Sequence, residues 1–153
     1  MEKIDNLDKK ILKIIMRNAR IPSKDVALEC NVSRAAIHQR IQRMIDMNVI
    51  TGSGYNVNPK TLGYATCTYI GVTLEKGAMY RDVVPELEKI EEVVECHFTT
   101  GPSTMLIKLY ARDNEHLLHL IHERLQPLGL LRTETLVSFR EVFSRALPVT
   151  TKK

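Results

Sequence analysis

The chain has 153 residues, 44% hydrophobic and 26% charged, with a net charge of +4. That size holds one ordinary core or two small ones, the balance is that of a globular rather than a disordered chain, and no apolar run approaches the roughly 20 residues of a membrane span. The charge is uneven, since residues 1–60 carry 11 Lys/Arg against 6 Asp/Glu and residues 61–153 carry 11 against 12, so only the front is suited to a polyanion.

Residues 1–19 are charged throughout and lack a signal-peptide core, which makes the cytoplasm the expected compartment. Three helical segments fit before Gly52. In the first, Ile4, Leu7, Ile11, Leu12 and Ile15 form an apolar stripe with Asp8, Lys9, Lys10 and Lys13 outside it. Pro22 suits the entry to a short second helix, Ser23 to Cys30, with Val26, Ala27 and Cys30 inward. Asn31 and Val32 leave a turn of about three residues before a third helix, the length of a helix-turn-helix. Asn31 suits the left-handed backbone such a turn needs, and Ser33 is a good N-cap.

On the third helix, Ile37, Ile41, Met44 and Ile45 cluster on one side at helical spacing, opposite Ala35, Gln39, Gln42 and Arg43, with Ala36 and His38 on the flanks. Ser33 to Arg43 contains no acid, which is unusual for a merely solvated face. Gln pairs bidentately with adenine and Arg with guanine, and Ala is small enough to touch a thymine methyl. Arg34, Ala35 and His38 lie near the helix start, where side chains reach base edges, and Arg43 is placed for phosphate. Arg40, beside the apolar stripe, is suited equally to bracing the fold or touching phosphate. Lys24, Arg34, Arg40 and Arg43 supply salt-sensitive attraction. The expected DNA-binding set is Lys24, Ser33, Arg34, Ala35, His38, Gln39, Gln42 and Arg43.

The stretch "TGSGYNVNPKTLGY" reads as a strand inside a linker, because Tyr55, Val57 and Leu62 would waste apolar area in a loose tether. Strands are expected at 65–74, 93–100, 104–111 and 131–142, and helices within 79–90, with Pro85 a difficulty, and at 114–126. The order β-α-β-β-α-β is the split ferredoxin-like arrangement. Its strands read as apolar on both sides, so a second copy of the chain is the economical cover for the open face.

The segments "IDNLDKKILKIIMRNAR", "VSRAAIHQRIQRM" and "VITGSGYNVNPKTLGY" resemble the amino-terminal half of the Lrp/AsnC (feast/famine) transcription regulators. Asn31 replaces the usual turn glycine, and Val26-Ala27 stands where Leu-Ala is common. The resemblance implies an α+β chain: a winged-type helix-turn-helix at 1–50, a linker with a strand at 51–64, and a ferredoxin-like sensing and oligomerising domain at 65–153. It also implies double-stranded DNA as partner, and homodimers that often assemble into octamers. A small effector would sit between subunits. The family's effector loop falls on Gly101, Pro102, Ser103 and Thr104, with Thr104 where an acid belongs. Its Thr-x-Thr is matched by Thr133 and Thr135. The implied pocket residues are Gly101, Ser103, Thr104, Thr133 and Thr135, a rim without an acid that should hold an ammonium poorly.

No cofactor, metal or catalytic group is expected. His116, His119 and His122 spread over about 120° of a helix and read as a polar face rather than zinc ligands. Cys96 and His97 are strand neighbours pointing apart. Cys30, Cys67 and Cys96 read as reduced thiols. Tetrapyrrole decarboxylases similar to Lrp/AsnC proteins are the enzyme alternative; a sensor without DNA binding is the other.

Overall fold

The computed structural model describes residues 3–75 and 80–151. The chain forms two compact units. One contains the residues up to Asn56 together with the segment from Phe143 onward, and the other spans Val57–Val142. The final segment therefore groups with the helices of the first unit, not with the sheet.

In the first unit, α1 (Asn6–Arg17) opens on a reciprocal cap. The Asp5 carboxylate accepts from the Asp8 N–H at 2.8 Å, and the Asp8 carboxylate accepts from the Asp5 N–H at 3.0 Å. α2 (Ser23–Cys30) ends at Asn31, whose φ of 55° and ψ of 47° are the left-handed turn the sequence anticipates. Ser33 Oγ then accepts from the Ala36 N–H at 3.1 Å to start α3 (Arg34–Asp46). Ile11, Ile37 and Met44 are fully buried, Val26 nearly so, and Val149 of the final segment packs against this core. Two placements differ from expectation. Asp8, expected outside the apolar stripe, is fully buried, because at 100° per residue it falls between Ile15 and Leu12, and Arg40 and Arg43 pair with it there. Ile45 is 45% exposed, since it lies about 100° around α3 from the buried Met44.

The strand expected around Tyr55 and Val57 is absent. Residues 51–58 have no regular structure, and a 3₁₀ turn, Pro59–Leu62, follows. Tyr55, Val57 and Leu62 are exposed rather than buried. The Tyr55 ring instead lies under the Arg20 guanidinium, 4.3 Å from its centroid.

The second unit has four antiparallel strands, β1 (Thr66–Leu74), β2 (Val93–Phe98), β3 (Met105–Ala111) and β4 (Leu130–Ser138), in the order β2-β3-β1-β4. Both helices pack on one face: Ile70, Val72, Met105, Ile107 and Leu109 meet Val83 and Leu87 of α4 (Tyr80–Glu88) and Leu117 of α5 (Asn114–His119). Met79, the expected start of α4, lies outside the described residues. Pro85 lies within α4 and withholds one donor from it. Beyond α5 the helix expected to run to Gln126 widens to i→i+5 bonding over Leu120–Leu125. Leu120 and Leu125, at the two ends of this segment, are both buried.

The opposite face is less apolar than the sequence suggests. Leu106 and Leu136 share it with Tyr69, Lys108, Tyr110 and Glu134. β4 stops at Ser138 instead of Val142, and Phe139, Val142, Phe143 and Leu147 are exposed beyond it.

Candidate functional site

The first unit presents α3 much as its sequence requires. Arg34, Ala35, His38, Gln39, Gln42 and Arg43 are exposed, as are Lys24 on α2 and Ser33 at the helix start. Among the described residues, the side chains of Lys24, Arg34, His38 and Gln39 have no hydrogen bond or ion pair. Gln42 is tied to Asp46, its Nε2 donating to Oδ1 at 2.9 Å.

Arg40 braces the fold. Its guanidinium donates to the Asp5 carboxylate and, at 3.2 Å, to Asp8 Oδ1. The bond to Arg40 holds the Asp5 carboxyl below its ordinary value of 3.8, and the same partner raises the Arg40 guanidinium further. Arg43 Nη1 lies 3.5 Å from Asp8 Oδ2. Asp8 is the residue that sequence reasoning missed. Its signals were the spacing from Asp5 that marks a reciprocal cap and its place, at 100° per residue, within the apolar arc of α1.

In the second unit, a groove of about 280 Å³ on the open sheet face is lined by Gly71, Thr99, Pro102, Ser103, Glu134 and Leu136, among others. The Gly101 turn (φ 104°) sits at its lip, and Thr99 Oγ1 donates to the Ser103 carbonyl at 3.1 Å. Of the five expected pocket residues, only Ser103 lines this groove. Thr104 turns into the strand: its N–H donates to the Val72 carbonyl at 2.9 Å, and its Oγ1 faces the Leu74 N–H at 3.5 Å. Thr133 and Thr135 pair with Val72 and Ile70, which places them on the helix-covered face. Glu134, between them, points into the groove instead, with Arg132 3.6 Å from its carboxylate. The groove thus has the acid that the loop lacks.

The three histidines act separately. His116 Nδ1 accepts from the Arg112 N–H at 3.0 Å and its Nε2 faces Glu92 at 3.5 Å, while His122 bonds Gln126. Among the described residues no group of His, Cys, Asp and Glu is placed to hold a metal ion.

Residues 4–51 match the winged helix-turn-helix DNA-binding family, and residues 67–148 match the Lrp/AsnC ligand binding domain. The chain belongs to the Lrp/AsnC family. As an Lrp/AsnC protein it is a DNA-binding transcriptional regulator. It is 34% identical over 145 residues to the regulatory protein AsnC of Escherichia coli K12, covering 94% of this chain and 95% of that one. It is 32% identical over 114 residues to the HTH-type transcriptional regulator FL11 of Pyrococcus furiosus, covering 74% and 75%. The solved structure of E. coli AsnC superposes with a TM-score of 0.90 over 95% of this chain and 99% of that one. A Neisseria meningitidis regulator solved with L-methionine shares the Lrp/AsnC fold (TM-score 0.89, 19% identity, 95% and 97% covered). Among the described residues no helix is long and apolar enough to cross a membrane.

Proposed function

We propose that the chain regulates transcription in the cytoplasm as a homo-oligomer, a dimer or an octamer assembled from dimers, whose reading of DNA is tuned by a small metabolite, and that it is not an enzyme. The exposed face of α3, which from Ser33 to Arg43 carries no acid, supports this reading. Arg34, Ala35, His38 and Gln39 reach base edges, and Gln42 is released from Asp46 to join them. Ser33 presents its end of α3 to the backbone, and Lys24 and Arg43 contact phosphate. A dimer then sets two such helices in successive major grooves about 34 Å apart, on a roughly palindromic site.

The metabolite site is the groove beside Gly101 and Ser103, completed between subunits. There Thr104 shapes the turn, and Thr133 and Thr135 face the other side of the same strand. Glu134 supplies an acceptor for an ammonium group. The methionine-bound N. meningitidis relative supports a ligand of this size. Exposed Leu136, half-buried Leu106 and the exposed Phe139 and Phe143 support association with a second copy.

Enrichment of bound duplexes from a random pool, with light scattering on the same sample, tests the proposal. A two-fold symmetric motif with half-sites about 10 base pairs apart, bound by a dimer or larger, is expected. Binding by a monomer, or enrichment of no sequence, refutes it.

A further inference from the structure

Among the described residues Asp8 is the only charged side chain that is fully buried, and both its carboxylate oxygens are engaged. Oδ2 accepts from the Asp5 N–H and faces Arg43 Nη1, and Oδ1 accepts from Arg40 Nη1. The two arginines stand on adjacent turns of α3. At 100° per residue, Arg43 lies about 40° and Arg40 about 100° around the helix from Gln39. One carboxylate of α1 therefore grips the flank of α3 next to its exposed face. A carboxylate cannot stay ionised in a core without such partners. Arg40 supplies the hydrogen bond, and Arg43, 3.5 Å away and 44% exposed beside that face, adds a looser ion pair to the same carboxylate.

We propose that Asp8 is a positioning residue for DNA reading, which fixes the rotation of α3 on α1 and restrains Arg43 from indiscriminate attraction to phosphate. The proposal rests on α3 being the reading helix. A free arginine at that place draws in any duplex, because phosphate contacts carry no sequence information. Held by Asp8, Arg43 must loosen a desolvated partner before it gains a phosphate oxygen. Its contribution falls on every sequence alike, and the discrimination made by Ala35, Gln39 and Gln42 counts for more.

The test uses the full-length protein, a duplex enriched from a random pool and an unrelated duplex, with affinity measured across a salt series. One complete phosphate contact contributes about 0.9 to the slope of log affinity against log salt. Arg43→Gln is expected to flatten the slope by less than half of that per subunit. Asp8→Asn is expected to steepen it, to raise affinity for the unrelated duplex several-fold more than for the enriched one, and to lose this effect in the Asp8→Asn/Arg43→Gln double variant. A full 0.9 loss in Arg43→Gln, or an unchanged slope in folded Asp8→Asn, overturns the proposal. Should circular dichroism show Asp8→Asn unfolded, the Arg43→Gln slope decides alone. If the unmodified protein enriches no duplex, the reading of α3 fails and this proposal with it, an outcome distinct from an enriched duplex whose salt slope ignores Asp8.

Discussion

Ser103 occupies the room that a side chain at Gly71 would need: a Cβ at Gly71 would lie 2.5 Å from Ser103 Oγ and 3.3 Å from its Cβ. The turn after β2 can lie on β1 because β1 has no side chain there. Gly71→Ala is expected to cost about 1–3 kcal/mol, the usual penalty of overpacking, and to reshape the groove. Adding Ser103→Gly should restore most of that loss. Denaturant unfolding of both single variants and the double variant checks it, and additive losses would show that the two residues do not compete for space.

The bond between Arg40 and Asp5 predicts a dependence on acid. Asp5 has a folded value held below 3.8. Its contribution to stability is thus fully present above that unfolded value and lost as pH falls through the lowered one. The urea midpoint of the unmodified protein should drop more steeply below pH ~4 than that of Asp5→Asn, and the curves should run parallel above pH ~5. Parallel curves throughout would remove Asp5 from the acid response.

Gln39 is exposed and has no partner within the described chain. Gln39→Ala is expected to cost about 1–3 kcal/mol on an enriched duplex and little on a random one. Competition binding measures both, and equal losses would show that Gln39 reads no base.

In the proposed groove the expected partner of an ammonium group is Glu134 rather than the loop. Calorimetry against the twenty amino acids should show Glu134→Gln abolishing whatever binding the unmodified protein has. Thr104→Asp should add none, because that side chain is turned toward Leu74. Binding gained in Thr104→Asp, or binding unaffected by Glu134→Gln, would return the site to the loop.

Thr68 is fully buried on the helix-covered face, and its hydroxyl has no hydrogen-bond partner among the described residues. Thr68→Val replaces it with a methyl of similar shape and should raise stability by about 1 kcal/mol. An unchanged or lower urea midpoint would indicate that the hydroxyl is satisfied.

Local signals in the chain carry most of the fold. Asn31, Ser33 and the Ile37–Ile41–Met44 spacing specify the helix-turn-helix because caps and helical periods act over a few residues. The alternation of Met105, Ile107 and Leu109 likewise specifies which face of β3 is buried. What pairing decides is less legible. The register that sets Glu134 opposite Gly71, and Thr133 opposite Val72, depends on strands more than sixty positions apart. So the residues matched by sequence to the loop and to Thr-x-Thr do not lie on one face. Asp8 was legible in α1 alone, since at 100° per residue it falls within the arc of Ile4, Leu7, Ile11, Leu12 and Ile15; what only α3 supplies is its partners, Arg40 and Arg43. The widened turn at Leu120–Leu125 leaves no local mark beyond Pro127.

Val149 packs against the core formed by Ile11, Val26, Ile37 and Met44, and Lys13 Nζ reaches Thr151 Oγ1 at 3.4 Å. Synthesis on the ribosome runs from one end of the chain to the other, and early domains ordinarily fold while later ones are still being made. Here the helices emerge first, but Val149, a half-buried residue packed on their core, emerges only after the sheet. A nascent or prematurely terminated chain ending before Val149 has all of α3 and lacks one residue that packs on the core beneath it. Full stability of the DNA-binding unit is thus reserved for polypeptides that already contain the entire sheet domain.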